Sequence, residues 1–178
     1  MTDAVSAAAH RNSEPQTPSP PMDSHRYLQP DLVVVNLCIA SRKRLLKQFA
    51  ELIAANAAIC NSEHSDDPYL EQIFVTLHNR ERLGSTALGN GIALPHGRIE
   101  GLSEPVIAIA KLEHPVDYDA PDGMPVWLAV CLLVPAEANE VHLSLLATLA
   151  AKFDDDDFVR EVKKTGSTTE IYNLFSDI

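Results

Sequence analysis

The sequence predicts an α/β sandwich built on a mixed β-sheet. Two long apolar runs, "EPVIAIAKLE" and "PVWLAVCLLVP", are bounded by prolines and have the length and β-branched content of central strands. Segments with a helical apolar period stand on either side of them along the chain. Strands and helices alternate, but without the strict rhythm of a parallel βαβ fold.

The first thirty residues stand apart. Five prolines (15, 18, 20, 21 and 30) and four serines break any period, so residues 1–30 are expected to be a disordered tail and 31–178 one folded domain. Order is expected from about Leu32, where "LVVVN" is a short strand. Ser41 then caps a helix in which Leu45, Phe49, Leu52 and Ile53 share a face. "NSEHSDDP" is a loop, and Pro68 opens a second helix with Leu70, Ile73, Phe74 and Leu77 on one side. A glycine-punctuated segment, Gly84 to Gly97, leads to the two long strands, which "DYDAPDG" joins as a turn. The remainder is helical: about Ala138 to Lys152, Asp155 to Lys164, and a last helix from Thr168 capped by Ser167 or Thr168.

Composition narrows the function. The net charge is -11 and the pI about 4.9. That argues against nucleic acid, whose readers carry basic patches. No apolar stretch approaches the roughly 20 residues of a membrane helix. "MTDAVSAAAH" lacks the apolar block of a secretory signal. Cys38, Cys60 and Cys131 are odd in number and form no CxxC pair, so they read as buried small hydrophobes in a reducing cytoplasm.

The chemistry concentrates in Arg80 to Arg98, "RERLGSTALGNGIALPHGR". Gly84, Gly89 and Gly91 let backbone amides turn toward an anion, and successive N–H groups form a concave anion site. Ser85 and Thr86 add hydroxyl donors for phosphate oxygens. Pro95 restrains the backbone beside His96. An imidazole with an ordinary pKa of roughly 6.5 is largely neutral near pH 7 and offers a nucleophilic nitrogen. Phosphoryl transfer needs in-line positioning and donors around the oxygens more than it needs an acid or base. A tight loop beside a surface histidine has the same residues. The nucleotide loop GxxxxGK[ST] is absent, and "GNG" lacks the third glycine of a dinucleotide fingerprint.

Eleven of the seventeen positions ending at His96 match R-E-x-x-G-S-T-x-x-G-x-G-I-A-x-P-H. This resembles the signature of mannitol/fructose-type (type 2) enzyme IIA domains of the bacterial phosphotransferase system, and it is particularly similar to the nitrogen-regulatory IIA proteins. The turn Val116 to Ala120, "LLVP" at Leu132 to Pro135 and "HLSLLATLA" from His142 extend the likeness over roughly Leu32 to Ser176. Trp127 departs from it, standing where a smaller or polar residue is expected.

The resemblance implies a mixed sheet with helices on both faces. It implies that His96 is the phosphorylated residue, with Arg80 beside the site and His142 the second histidine. Taken alone, His142 shares an apolar helix face with Leu145, Leu146 and Leu149 and reads as a core histidine. The implied function is a cytoplasmic histidine phosphocarrier with a regulatory output. Its phosphoryl donor would be an HPr-type carrier protein, and kinases or transporters its targets. The alternatives are a IIA component of a fructose- or mannitol-type transporter, and a phosphorylation-gated binding module. No cofactor is expected. Nor is a metal: no spacing among His96, His114 and His142 is diagnostic of zinc. Asp154 to Asp157 read as a negatively charged helix start.

Overall fold

A computed structural model describes residues 26–56, 68–137 and 139–176, with residues 139–142 described by backbone alone. In chain order the elements are β1 (Leu28–Leu37), α1 (Arg42–Ala54), α2 (Pro68–Arg82), β2 (Ala87–Gly89), β3 (Ile92–Ala93), β4 (His96–Ile99), β5 (Val106–Val116), β6 (Val126–Pro135), α3 (Asn139–Phe153), α4 (Asp156–Lys164) and α5 (Thr168–Ser176).

The sheet runs β1-β5-β6-β3-β2, with β4 also on β6. β1 lies parallel to β5, β5 antiparallel to β6, and both β3 and β4 parallel to β6, so the sheet is mixed. Every residue from Val126 to Val134 is buried, as expected of a strand covered on both faces. From Leu128 onward its side chains alternate between two cores. Val126, Ala129, Cys131 and Leu133 join Leu45, Phe49, Ile73 and Leu77 from α1 and α2. Trp127, Leu128, Val130, Leu132 and Val134 join Leu145, Leu149, Phe158 and Phe175 from α3, α4 and α5. Each such fully buried aliphatic or aromatic side chain contributes about 1.5–3 kcal/mol. Helices therefore cover both faces, as the sequence implied.

Ser41 caps α1 through its hydroxyl, which accepts from the Arg44 N–H at 3.3 Å. Asp155 caps α4, accepting from the Asp157 and Phe158 amides, which is the negatively charged helix start expected there.

Three local expectations change. Order reaches upstream of Leu32: Leu28 is 1% exposed and the Tyr27 carbonyl accepts from the Ile107 amide. Pro30 sits inside β1 because that strand is the sheet edge, where a missing N–H is tolerated, and the register shifts between Leu28 and Val33. The expected tail from residue 1 to 25 lies outside the described residues. Second, Gly84 to Gly97 contains two short strands and the start of a third. Third, Cys38 is exposed; Cys131 is buried, which pushes its thiol pKa up, and Cys60 lies outside the described residues. Among the described residues, no helix is long and apolar enough to cross a membrane.

Candidate phosphoryl-transfer site

The segment from Gly91 to Ile99 follows one edge of β6. Trp127 donates its amide to the Gly91 carbonyl at 2.8 Å, Leu132 donates to Pro95 O at 2.9 Å, and His96 stands opposite Leu132. β3 and β4 are thus one parallel edge interrupted at Leu94 and Pro95. The interruption frees the Leu94 carbonyl for a side chain.

His96 uses it. Its Nδ1 lies 2.8 Å from the Leu94 carbonyl oxygen. A carbonyl can only accept, so Nδ1 carries the proton and Nε2 keeps its lone pair. Arg80, in the last turn of α2, donates its Nε–H to that Nε2 at 3.1 Å. Its Nη1 donates to the Gly84 carbonyl at 3.0 Å, which fixes the guanidinium at two points. His96 is half-buried and its pKa lies below the ordinary 6.5. Burial is the largest cause and the Arg80 charge adds to it; the Leu94 carbonyl and Glu81 oppose. The ring is therefore neutral at pH 7 and presents a nucleophilic nitrogen to an adjacent fixed cation.

Gly97 sets which way the ring faces. A Cβ there would lie 2.6 Å from Thr76 Cγ2 of α2, so position 97 faces the α1–α2 layer. Side-chain alternation along β4 then puts His96 on the opposite face, where α3 packs through Leu145 and Leu149. His142 lies in α3. Its side chain lies outside the described residues.

The remaining expected residues are placed differently. Ser85 donates its hydroxyl to the Tyr118 carbonyl at 2.8 Å. Thr86 is 5% exposed and donates its amide to Glu81 Oε1 at 2.9 Å and its hydroxyl to Oε2 at 2.5 Å. Both hydroxyl protons are held by the protein itself. Gly89 and Gly91 flank the Asn90 tip of the β2–β3 hairpin, at the level of Leu128. Leu132 lies four positions beyond Leu128 along β6, which puts the hairpin tip at least about 13 Å along the strand from His96. Gly91 (φ +75°) is required there because a Cβ would lie 2.4 Å from Trp127 Cδ1. The Trp127 indole in turn donates to the Asn90 carbonyl at 3.1 Å. The structure thus brings Arg80 to His96 and does not bring Gly89 and Gly91 to it. Away from the site, His114 is exposed, whereas His78 is half-buried and stacked on Phe74 at 5.6 Å.

Sequence reasoning missed three residues beneath the site. Glu81 is 5% exposed and receives Thr86 and, at 3.3 Å, the Tyr118 hydroxyl. Arg42 stands 3.8 Å from Glu81 and 2.9 Å from Asp119, and its guanidinium donates to the Tyr118 carbonyl at 3.3 Å. Burial and the Glu81 charge push the Tyr118 phenol well above its ordinary pKa. One signal was present: Glu81 continues the buried row of Ile73 and Leu77 on α2.

The family model described as phosphoenolpyruvate-dependent sugar phosphotransferase system, EIIA 2, matches residues 26–178. The chain belongs to that family. This enzyme IIA is 41% identical over 152 residues to the nitrogen regulatory protein of Pseudomonas aeruginosa, covering 85% of this chain and 93% of the relative. The crystal structure of nitrogen regulatory protein IIA-Ntr from Neisseria meningitidis superposes with a TM-score of 0.74 at 34% identity, over 84% of this chain and 97% of that one. Mannitol IIA of Escherichia coli shares the fold, with a TM-score of 0.65 at 18% identity over 83% of this chain and 97% of that one. As a member of this family, the enzyme IIA is a component of phosphotransferase chemistry.

Proposed function

We propose that this enzyme IIA is a cytoplasmic histidine phosphocarrier of the nitrogen-regulatory kind, accepting a phosphoryl group on Nε2 of His96 from an HPr-type carrier. The observation that carries the reading is the pair of contacts on one ring: Nδ1 bound to Leu94 O and Nε2 facing Arg80 Nε. The lone pair that Arg80 holds at rest is the one that attacks. As the phosphorus–nitrogen bond to Nε2 forms, the donor's own phosphorus–nitrogen bond breaks and its ring leaves neutral. His96 gains positive charge, which the Leu94 carbonyl offsets through Nδ1–H. The Arg80 N–H, released from Nε2, turns to the phosphoryl oxygens.

His142 is proposed as a second donor to those oxygens. Its support is the placement of α3 on the face that His96 occupies, together with the family signature. The output is proposed to be regulatory, with kinases or transporters as targets of the phosphorylated or unphosphorylated form; the likeness to nitrogen regulatory proteins favours this over a dedicated sugar-transport role.

The test is incubation with phosphoenolpyruvate, enzyme I and each HPr-type carrier, followed by mapping of the label. We expect one acid-labile, base-stable phosphoryl group on His96, lost in a folded His96→Ala variant. Label retained by that variant would overturn the reading. Rapid onward transfer to a sugar-specific IIB protein would favour the transport role instead.

A further inference from the structure

The carboxylate of Glu81 touches neither His96 nor any group that would meet a phosphoryl donor, yet it helps hold the turn that carries the second anchor of Arg80. Arg80 and Glu81 are neighbours at the end of α2, and their side chains leave the helix in different directions. Arg80 reaches out to His96. Glu81 turns inward, where three donors converge on its two oxygens: the Thr86 amide, the Thr86 hydroxyl and the Tyr118 hydroxyl. The Thr86 pair closes a ring from the helix end through Gly84, whose carbonyl is the second anchor of the Arg80 guanidinium.

Gly84 itself has nothing within 4 Å of where a Cβ would lie and a φ of +152°, so it is not wedged in place by packing. The position of its carbonyl is set by the bond of its own amide to the Glu81 carbonyl at 3.3 Å and by what holds Thr86: the Glu81 carboxylate on its amide and hydroxyl, and the Leu94 amide on its carbonyl. Arg42 adds a third tie, from the start of α1 to both Glu81 and the Tyr118 turn. A carboxylate this deeply buried is costly unless fully partnered, which marks the arrangement as one the fold has to complete.

We propose that Glu81 is a positioning residue for phosphoryl transfer: through Thr86 and Gly84 it fixes the guanidinium of Arg80 against Nε2 of His96. The proposal rests on His96 being the acceptor. It assigns Glu81 no contact with the phosphoryl group.

Glu81→Gln tests it, because an amide keeps the shape but offers one acceptor oxygen to three donors. A kinetic cycle of wild type, Arg80→Ala, Glu81→Gln and the double variant measures the coupling. At saturating donor, acceptance in Glu81→Gln should slow about tenfold or more, as misplacement of a reacting group does. In the Arg80→Ala background the same change should have no further effect. An equal slowing in both backgrounds would overturn the proposal.

Thr86→Val gives a milder form of the same cut, removing one hydroxyl and leaving the amide. It should show the same dependence on Arg80, and serves if Glu81→Gln melts below the assay temperature. The Arg80 Nε–H resonance gives a readout without turnover: it should lose its protection in Glu81→Gln, and an unchanged resonance would likewise overturn the proposal. A wild-type protein that carries no label on His96 would remove the acceptor reading instead, and that resonance would still decide the role of Glu81.

Discussion

Arg80 Nε donates to His96 Nε2 across 3.1 Å, so a guanidinium occupies the lone pair that attacks phosphorus in the proposed reaction. The contact does two things at once. In the proposed reaction it places a cation where the phosphoryl oxygens arrive, and it requires that cation to leave Nε2 as the bond forms.

Removing the guanidinium should therefore slow acceptance rather than weaken donor binding. We expect Arg80→Ala to lower the single-turnover rate about 10²–10³-fold, the range for losing one donor to a developing anion, and Arg80→Lys to recover part of it. Rapid-quench kinetics with a phosphorylated carrier measures both. An unchanged rate in Arg80→Ala would take Arg80 out of the reaction.

The pH dependence follows from the neutral ring. Only unprotonated His96 can attack, so acceptance is lost as pH falls through a pKa that lies below the ordinary 6.5. Arg80 is one cause of the lowering, so Arg80→Ala should move the midpoint up. Glu81 opposes it, but Glu81→Gln also releases Arg80, whose effect on the ring is the larger, so the midpoint there should move up less than in Arg80→Ala. Titration of the His96 ring resonances in the three proteins checks the order, and a midpoint unmoved or lowered in Arg80→Ala would contradict the assigned role of Arg80.

His142 separates a core histidine from a site histidine. If its ring donates to the phosphoryl oxygens, an amide can partly replace it and a methyl cannot. His142→Ala should then still be labelled on His96 but impair onward transfer or phospho-form lifetime more than His142→Gln, with the fold kept. Equal kinetics in all three proteins, with lowered melting temperatures, would assign His142 to the core.

Gly91 should matter to the fold and not to the chemistry. Alanine there meets Trp127 Cδ1 at 2.4 Å and Pro125 O at 3.0 Å with φ at +75°. We expect Gly91→Ala to cost about 1–3 kcal/mol while the folded variant accepts phosphate at the wild-type rate. A stable variant with slow acceptance would return Gly91 to an anion cradle.

Truncation should show where order begins. Deleting residues 1–25 should leave the melting temperature and acceptance unchanged. Extending the deletion through Leu28, which is 1% exposed, should cost about 2–5 kcal/mol, the range for losing a large buried side chain. A large loss from the shorter deletion would show that residues 1–25 pack on the domain.

The parts of this fold that were legible in the sequence are those with long uniform patterns. Val106 to Val116 and Val126 to Pro135 read as strands because nothing interrupts them, and α1 and α4 because Ser41 and Asp155 are strong caps. β2, β3 and β4 are too short for a period to show, and Pro30 hid the first residues of β1. At the site, the motif pointed to His96 and Arg80, but the partners of Ser85 and Thr86 could not be read from it. Tyr118 lies far along the chain from Ser85, and Glu81 reads locally as one of several charges at a helix end. Hydroxyls expected to meet a ligand are bound inside the protein, because the buried Glu81 carboxylate takes the Thr86 proton and the Tyr118 carbonyl takes that of Ser85.

The pairing of β4 with β6 has a consequence for how the protein comes into being. His96 is made early, but the strand that aims it, opposite Leu132, is made later, and β6 must itself lie against β5 to be in place. Such non-local pairing closes late in folding. A chain still on the ribosome that has emerged only as far as Gly123 has its histidine but not the strand that orients it. On the proposed reading, phosphate on His96 reports that the later half of the chain has been made and folded.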